Sequence, residues 1–130
     1  MSKKPQLIVI DDEPDSASVI ADLAQIIGFD ADIIDNAKEF LRNWSDQKYA
    51  VIVIDLCMPE TDGIEVIQAL ARNQCTAAII MISGFDRGML DCAGDMAEAL
   101  KLNLLGTFSK PFSLDDIEAL LQEVLQKIPS

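Results

Sequence analysis

The sequence predicts an α/β domain: a doubly wound, five-stranded parallel sheet in the order 2-1-3-4-5, with five helices shared between its two faces. Three observations lead there. Short continuous apolar runs at residues 7–10, 51–54 and 78–82 alternate with stretches of helical period. Those runs lack the polar alternation of a half-solvated strand, so both of their faces must be covered, as in parallel sheets. The chain has 130 residues, half of them hydrophobic, which is one core's worth of sequence and points to a single domain over 1–130.

The elements follow in order. Residues 7–10 form the first strand, and Pro14 suits the first turn of a helix whose Ile20, Leu23, Ala24 and Ile27 make one apolar face before Gly28 stops it. Residues 31–34 read as a short, less apolar strand at one edge. Asn36 with Glu39 is a capping pair for a brief helix carrying Phe40, Leu41 and Trp44. After the strand at 51–54, Asp62 with Glu65 opens a third helix with Ile64, Ile67, Leu70 and Ala71 inward. The strand at 78–82 leads to a fourth helix from about Arg87 to Lys101, built on Met89, Ala93, Met96, Ala97 and Leu100. Residues 106–109 make the other edge strand. Ser113 with Asp116 then caps a fifth helix striped by Ile117, Leu120, Leu121, Val124 and Leu125. Right-handed crossovers give the 2-1-3-4-5 order of flavodoxin-like sheets, in which function gathers outside the carboxyl ends of the strands.

Composition removes many chemistries. With 22 acidic and 10 basic residues the formal charge is −12, which disfavours nucleic acid and anionic membranes as partners. The absence of histidine excludes Ser-His-Asp and Cys-His catalysis and His-ligated zinc. Cys57, Cys75 and Cys92 form no CxxC pair and read as small buried hydrophobes in a reducing cytoplasm. No apolar run is long enough to span a bilayer, and no signal peptide is visible, so a cytoplasmic location is expected.

What the strands lead into is informative. Asp11, Asp12 and Glu13 follow the first strand, Asp55 ends the third, Ser83-Gly84 follows the fourth, and Lys110-Pro111-Phe112 follows the fifth. Four loops distant in sequence thus converge on one rim. Two carboxylates ~4 Å apart repel by about 4 kcal/mol at an effective dielectric of 20, so three cannot stay ionised together without a cation. Oxygen donors that leave room for water and phosphate suit Mg²⁺. A carboxylate flanked by Mg²⁺ and a lysine is equipped to become an aspartyl phosphate, with Ser83 placed to hydrogen-bond the new oxygens.

These blocks, Ile10-Asp11-Asp12-Glu13, Ile54-Asp55 with Pro59 and Asp62-Gly63, Ile82-Ser83-Gly84 and Ser109-Lys110-Pro111-Phe112, resemble the receiver domain of two-component response regulators over essentially the whole chain. The resemblance implies that Asp55 accepts a phosphoryl group from a phosphohistidine on a sensor histidine kinase or histidine phosphotransfer protein. It further implies that Asp12 and Asp55 bind Mg²⁺ directly, Asp11 through water and Cys57 through its backbone carbonyl. Lys110 would pair with the phosphoryl group, Ser83 would move toward it, and Lys110-Pro111 would be cis. The product would be a switch and not a turnover enzyme, acting on a downstream output domain or protein through a surface around the fourth helix, fifth strand and fifth helix. In that setting 1–130 would be a stand-alone protein or the N-terminal domain of a longer one.

Two departures mark this chain. Family members usually carry an aromatic residue three positions before the lysine, where Thr107 stands here, and Phe108 alternates to the other side of the strand. The stretch from Ser83 to Lys110 is also about one helical turn longer than is common. Two other readings fit less well. A Mg²⁺-dependent phosphatase with an aspartyl nucleophile would need an acid at position 57, which is cysteine. An FMN protein would need a phosphate loop where residues 11–15 are mostly acidic.

Overall fold

The computed structural model describes residues 4–42, 49–56, 63–84 and 87–127. Five strands, β1 (Gln6–Ile10), β2 (Asp30–Ile34), β3 (Tyr49–Asp55), β4 (Ala78–Ser83) and β5 (Asn103–Ser109), alternate with five helices, α1 (Pro14–Ile27), α2 (Ala37–Arg42), α3 (Gly63–Arg72), α4 (Arg87–Ala99) and α5 (Leu114–Lys127). All strand pairs are parallel and the order is β2-β1-β3-β4-β5, as expected.

Strand alternation divides the core in two. Ile8, Ile10, Ile52, Ile54, Ile79 and Met81 point toward α2, α3 and α4, where they meet Phe40, Val66, Ile67, Leu70, Leu90 and Ala93. Leu7, Val9, Val51, Val53, Ile80 and Ile82 point the other way, onto Ala17, Ile20 and Ala24 of α1 and Ile117 and Leu121 of α5. Both faces are apolar because both are covered, which accounts for the unbroken runs. Gly28 ends α1 at φ +134°, a conformation costly for a side chain, and its N–H and that of Phe29 both return to the Ala24 carbonyl.

Several expectations need adjusting. The fourth helix stops at Ala99, short of Lys101. Lys101 adopts φ +65° and the Leu102 N–H turns back to the Ala97 carbonyl, which closes the last turn and leaves Leu100 outside the core. The fifth strand begins three residues before the expected Gly106, because Asn103 and Leu104 pair with Ala78 and Ile79, and a register shift between Ile79 and Ile80 leaves Leu105 as an extra β5 residue. Leu104 therefore packs on the α4 side and Leu105 on the α5 side. Cys75 is buried but Cys92 is exposed, since α4 turns position 92 away from the sheet. Cys57, Trp44, Pro59 and Asp62 lie outside the described residues. The Asn36 cap is present, its Oδ1 accepting the Glu39 N–H at 3.1 Å, and Ser113 Oγ accepts from Asp115 N–H at 3.2 Å, one residue before the expected Asp116.

Leu70 on α3 is wholly buried, whereas Ile26 on α1 is 84% exposed. Leu70→Ala should cost about 3 kcal/mol in urea unfolding. Ile26→Ala should change stability by less than about 0.5 kcal/mol. Comparable losses at the two positions would contradict this division of the core.

Candidate functional site

Among the described residues, the buried polar or charged side chains are Asp11, Asp55 and Ser83. All three stand at the carboxyl edge of the sheet. The register explains their meeting: Ile10 pairs with Ile54, Asp55 with Ile82, and Ser83 with Ser109, so β1, β3, β4 and β5 end on one line. Lys110 follows immediately, its N–H donating to the Ser83 carbonyl at 2.9 Å, and the Leu56 N–H donates to the Ile82 carbonyl at 2.8 Å.

The centre of the site is an ion pair. Lys110 Nζ donates to Asp55 Oδ2 at 3.0 Å, with the carboxylate almost fully enclosed and the lysine about a quarter exposed. Burial alone would lower the lysine pKa, but the hydrogen bond and charge of Asp55, helped by Asp11 and Glu13, raise it instead, so the ammonium is held charged. Asp11 has its pKa pushed up to about 6, first by burial and then by the negative charge of Asp55. The Glu13 N–H, donating to Asp11 Oδ1 at 2.9 Å, and the charge of Lys110 oppose that rise. The Lys110-Pro111 bond is cis, as the resemblance implies.

Asp12 is placed differently. It is exposed and lines a cleft of about 350 Å³ with Asp11, Pro14, Ile33, Ile34, Asp35 and Glu39, toward the β2 side of the rim. The helix cap is Glu13, so Asp12 is not held in a capping role. Cys57 lies outside the described residues. Among those residues no group of three acidic or thiol side chains is gathered tightly enough to enclose a cation alone. Two buried carboxylates with one raised pKa nevertheless make a donor set of hard oxygens, deficient in positive charge, which suits Mg²⁺ completed by carbonyl and water oxygens.

Glu13 was not singled out by sequence reasoning. Its Oε2 lies 3.9 Å from Lys110 Nζ and accepts from Ser16 Oγ at 3.4 Å. The signal was present as the third acid of the run after β1, but an exposed acid at a helix start ordinarily serves the helix dipole. Phe108 packs with the α5 side and Thr107 stands exposed beside α4, so the expected alternation holds.

The family model of the response regulator receiver domain matches residues 7–122. The chain belongs to that family. Among curated relatives, a probable transcriptional regulator ycf27 of Porphyridium aerugineum is 30% identical over 97% of the chain and 50% of its own length. The transcriptional regulatory protein FixJ of Bradyrhizobium diazoefficiens is 28% identical over 98% of the chain and 60% of its own length. The receiver domain thus spans about half the length of such relatives. Among solved structures, a response regulator from Colwellia psychrerythraea superposes with a TM-score of 0.82 at 28% identity, covering 97% of this chain and all of that one. Response regulator receiver domains are signalling switches of two-component systems, and among the described residues no helix is long and apolar enough to cross a membrane.

A pH dependence follows for the metal-free domain. Because Asp11 titrates near 6 in the folded chain and 3.8 when free, its contribution to stability is intact below about pH 4 and lost as pH rises through 6. In EDTA at pH 7, Asp11→Asn should therefore raise the melting temperature by on the order of a few degrees. The gain should shrink as pH falls toward 5. A melting temperature unchanged or lowered at pH 7 would contradict the crowded-carboxylate geometry.

Proposed function

We propose that this receiver domain is a phosphorylation-dependent switch in which Asp55 takes a phosphoryl group from a phosphohistidine on a sensor histidine kinase or histidine phosphotransfer protein. The observation that carries this reading is the enclosed Lys110–Asp55 pair at 3.0 Å, with Asp11 beside it. A carboxylate at the end of a fully apolar strand is costly without such a partner, and a carboxylate oxygen is a competent phosphoryl nucleophile. An Asp55 carboxylate oxygen forms the new O–P bond as the donor's N–P bond breaks, and the electron pair leaves with the imidazole, which takes up a proton. The phosphoryl group arrives with more negative charge than the carboxylate it joins, and Lys110 stays within reach to pair with it.

Asp12, Asp55 and the backbone carbonyl of Cys57, with Asp11 acting through water, would hold Mg²⁺. The cation would offset the charge that builds on the transferred group. Ser83, with its neighbour Gly84 leaving space, would hydrogen-bond a phosphoryl oxygen. Lys110 and Ser83 sit at the ends of β5 and β4, so a shift at the site acts on the surface of α4, β5 and α5, the proposed output face. With Thr107 where an aromatic residue is usual, that face responds without a rotating ring at this position. Direct binding of nucleic acid by this acidic domain, or of anionic membranes, is not expected, and the cytoplasm is the proposed compartment.

Incubation with acetyl phosphate and Mg²⁺, followed by intact-mass measurement, should show one phosphoryl group per chain. EDTA or Asp55→Asn should abolish it. Undiminished labelling of Asp55→Asn would overturn the assignment.

A further inference from the structure

Glu13 begins α1 without its side chain capping it. Its carbonyl accepts the Ala17 N–H at 3.0 Å and its N–H donates to Asp11 Oδ1 at 2.9 Å, so its backbone is held on both sides. At a helix start a short polar side chain normally turns back onto the free N–H groups of the first turn. Glu13 makes no such bond. Its longer arm instead carries the carboxylate to 3.9 Å from Lys110 Nζ, where Ser16 Oγ donates to the same Oε2 at 3.4 Å. Among the described residues, Asp55 and Glu13 are the two acids paired with that ammonium. The two contacts differ in kind. Asp55 Oδ2 at 3.0 Å is a hydrogen-bonded partner inside the rim, whereas Glu13, about two-thirds exposed, acts through charge at a distance too long for a hydrogen bond.

We propose that Glu13 is a positioning residue for Lys110, drawing its ammonium partly away from the acceptor carboxylate and so setting how tightly a phosphoryl group is held there. The inference rests on the reading of Asp55 as phosphoacceptor and deepens it by naming a residue that tunes the site. A phosphoryl group adds negative charge and draws Lys110 wholly to itself, so Glu13 then gives up its share and stands close by as a further anion. Two unit charges about 4 Å apart in water are worth about fivefold in an equilibrium constant. On a cation the same carboxylate acts in the opposite sense, because it offsets part of the Lys110 charge that repels Mg²⁺. Glu13 therefore favours the metal-loaded, unphosphorylated state over the phosphorylated one. A residue that only started α1 would produce no such pair of opposed effects.

The test titrates the ¹⁵N-labelled domain with Mg²⁺ alone, and then with beryllium fluoride, a phosphoryl mimic, at saturating Mg²⁺. At low salt Glu13→Gln is expected to tighten beryllium fluoride by about fivefold and to weaken Mg²⁺ by roughly twofold or more. Both differences should shrink in ~1 M salt, which screens exposed charges over about 3 Å. The glutamine can still accept from Ser16, so the start of α1 is kept. Asp15→Asn removes an equal charge two residues on, from a side chain that is not paired with Lys110 among the described residues. It should leave beryllium fluoride affinity within about twofold of wild type. Equal beryllium fluoride affinity in wild type and Glu13→Gln, a shift of both ligands in one direction, or an equal gain from Asp15→Asn would overturn the proposal. Failure of the wild-type domain to bind beryllium fluoride at saturating Mg²⁺ would instead overturn the phosphoacceptor reading, and the proposal with it.

Discussion

The contact between Lys110 and Asp55 is the constraint around which the molecule is arranged. Asp55 ends a strand that is otherwise hydrophobic and almost wholly enclosed, and an isolated carboxylate there would be costly. The nearest compensation comes from a residue 55 positions later in the chain, delivered only if β5 has docked beside β4 in register. The ion pair and the sheet order are therefore mutually dependent. Removing Lys110 leaves uncompensated negative charge at the most crowded point of the rim. The same pair fixes the position of the Asp55 carboxylate at the rim.

Asp11 shows the opposite side of that arrangement. Burial first and the charge of Asp55 next push Asp11 up to about 6, and Lys110, which also faces Asp55 and Glu13, opposes that rise only in part. A rim left short of positive charge is unfavourable for folding and favourable for recruiting a cation. Phosphorylation at the proposed acceptor would alter this balance at the ends of β4 and β5.

Much of this was legible in the residues themselves. Val51, Ile52, Val53 and Ile54 announce a strand covered on both faces, and the topology then places Asp55, Ser83 and Lys110 on one rim although they are far apart in sequence. Asn36 and Gly28 mark helix ends through local hydrogen bonding, which short-range pattern captures. The less legible features depend on contacts that no local pattern encodes. The extra residue near Leu105 is a matter of register against β4. The end of α4 is set by the left-handed Lys101, where glycine would be the usual sign. The role of Glu13 appears only once Lys110 has been brought within 3.9 Å of it. The exposure of Cys92 is not legible in composition, which does not reveal which side of a helix meets the sheet.

The central claim is that a single carboxylate, Asp55, receives the phosphoryl group. Reduction of the phosphorylated domain with borohydride converts an acyl phosphate to the corresponding alcohol, and peptide mapping then locates it. The account predicts homoserine at position 55 and unmodified aspartate at positions 11 and 12. Homoserine at 11 or 12, or phosphate retained on a serine or threonine, would contradict it.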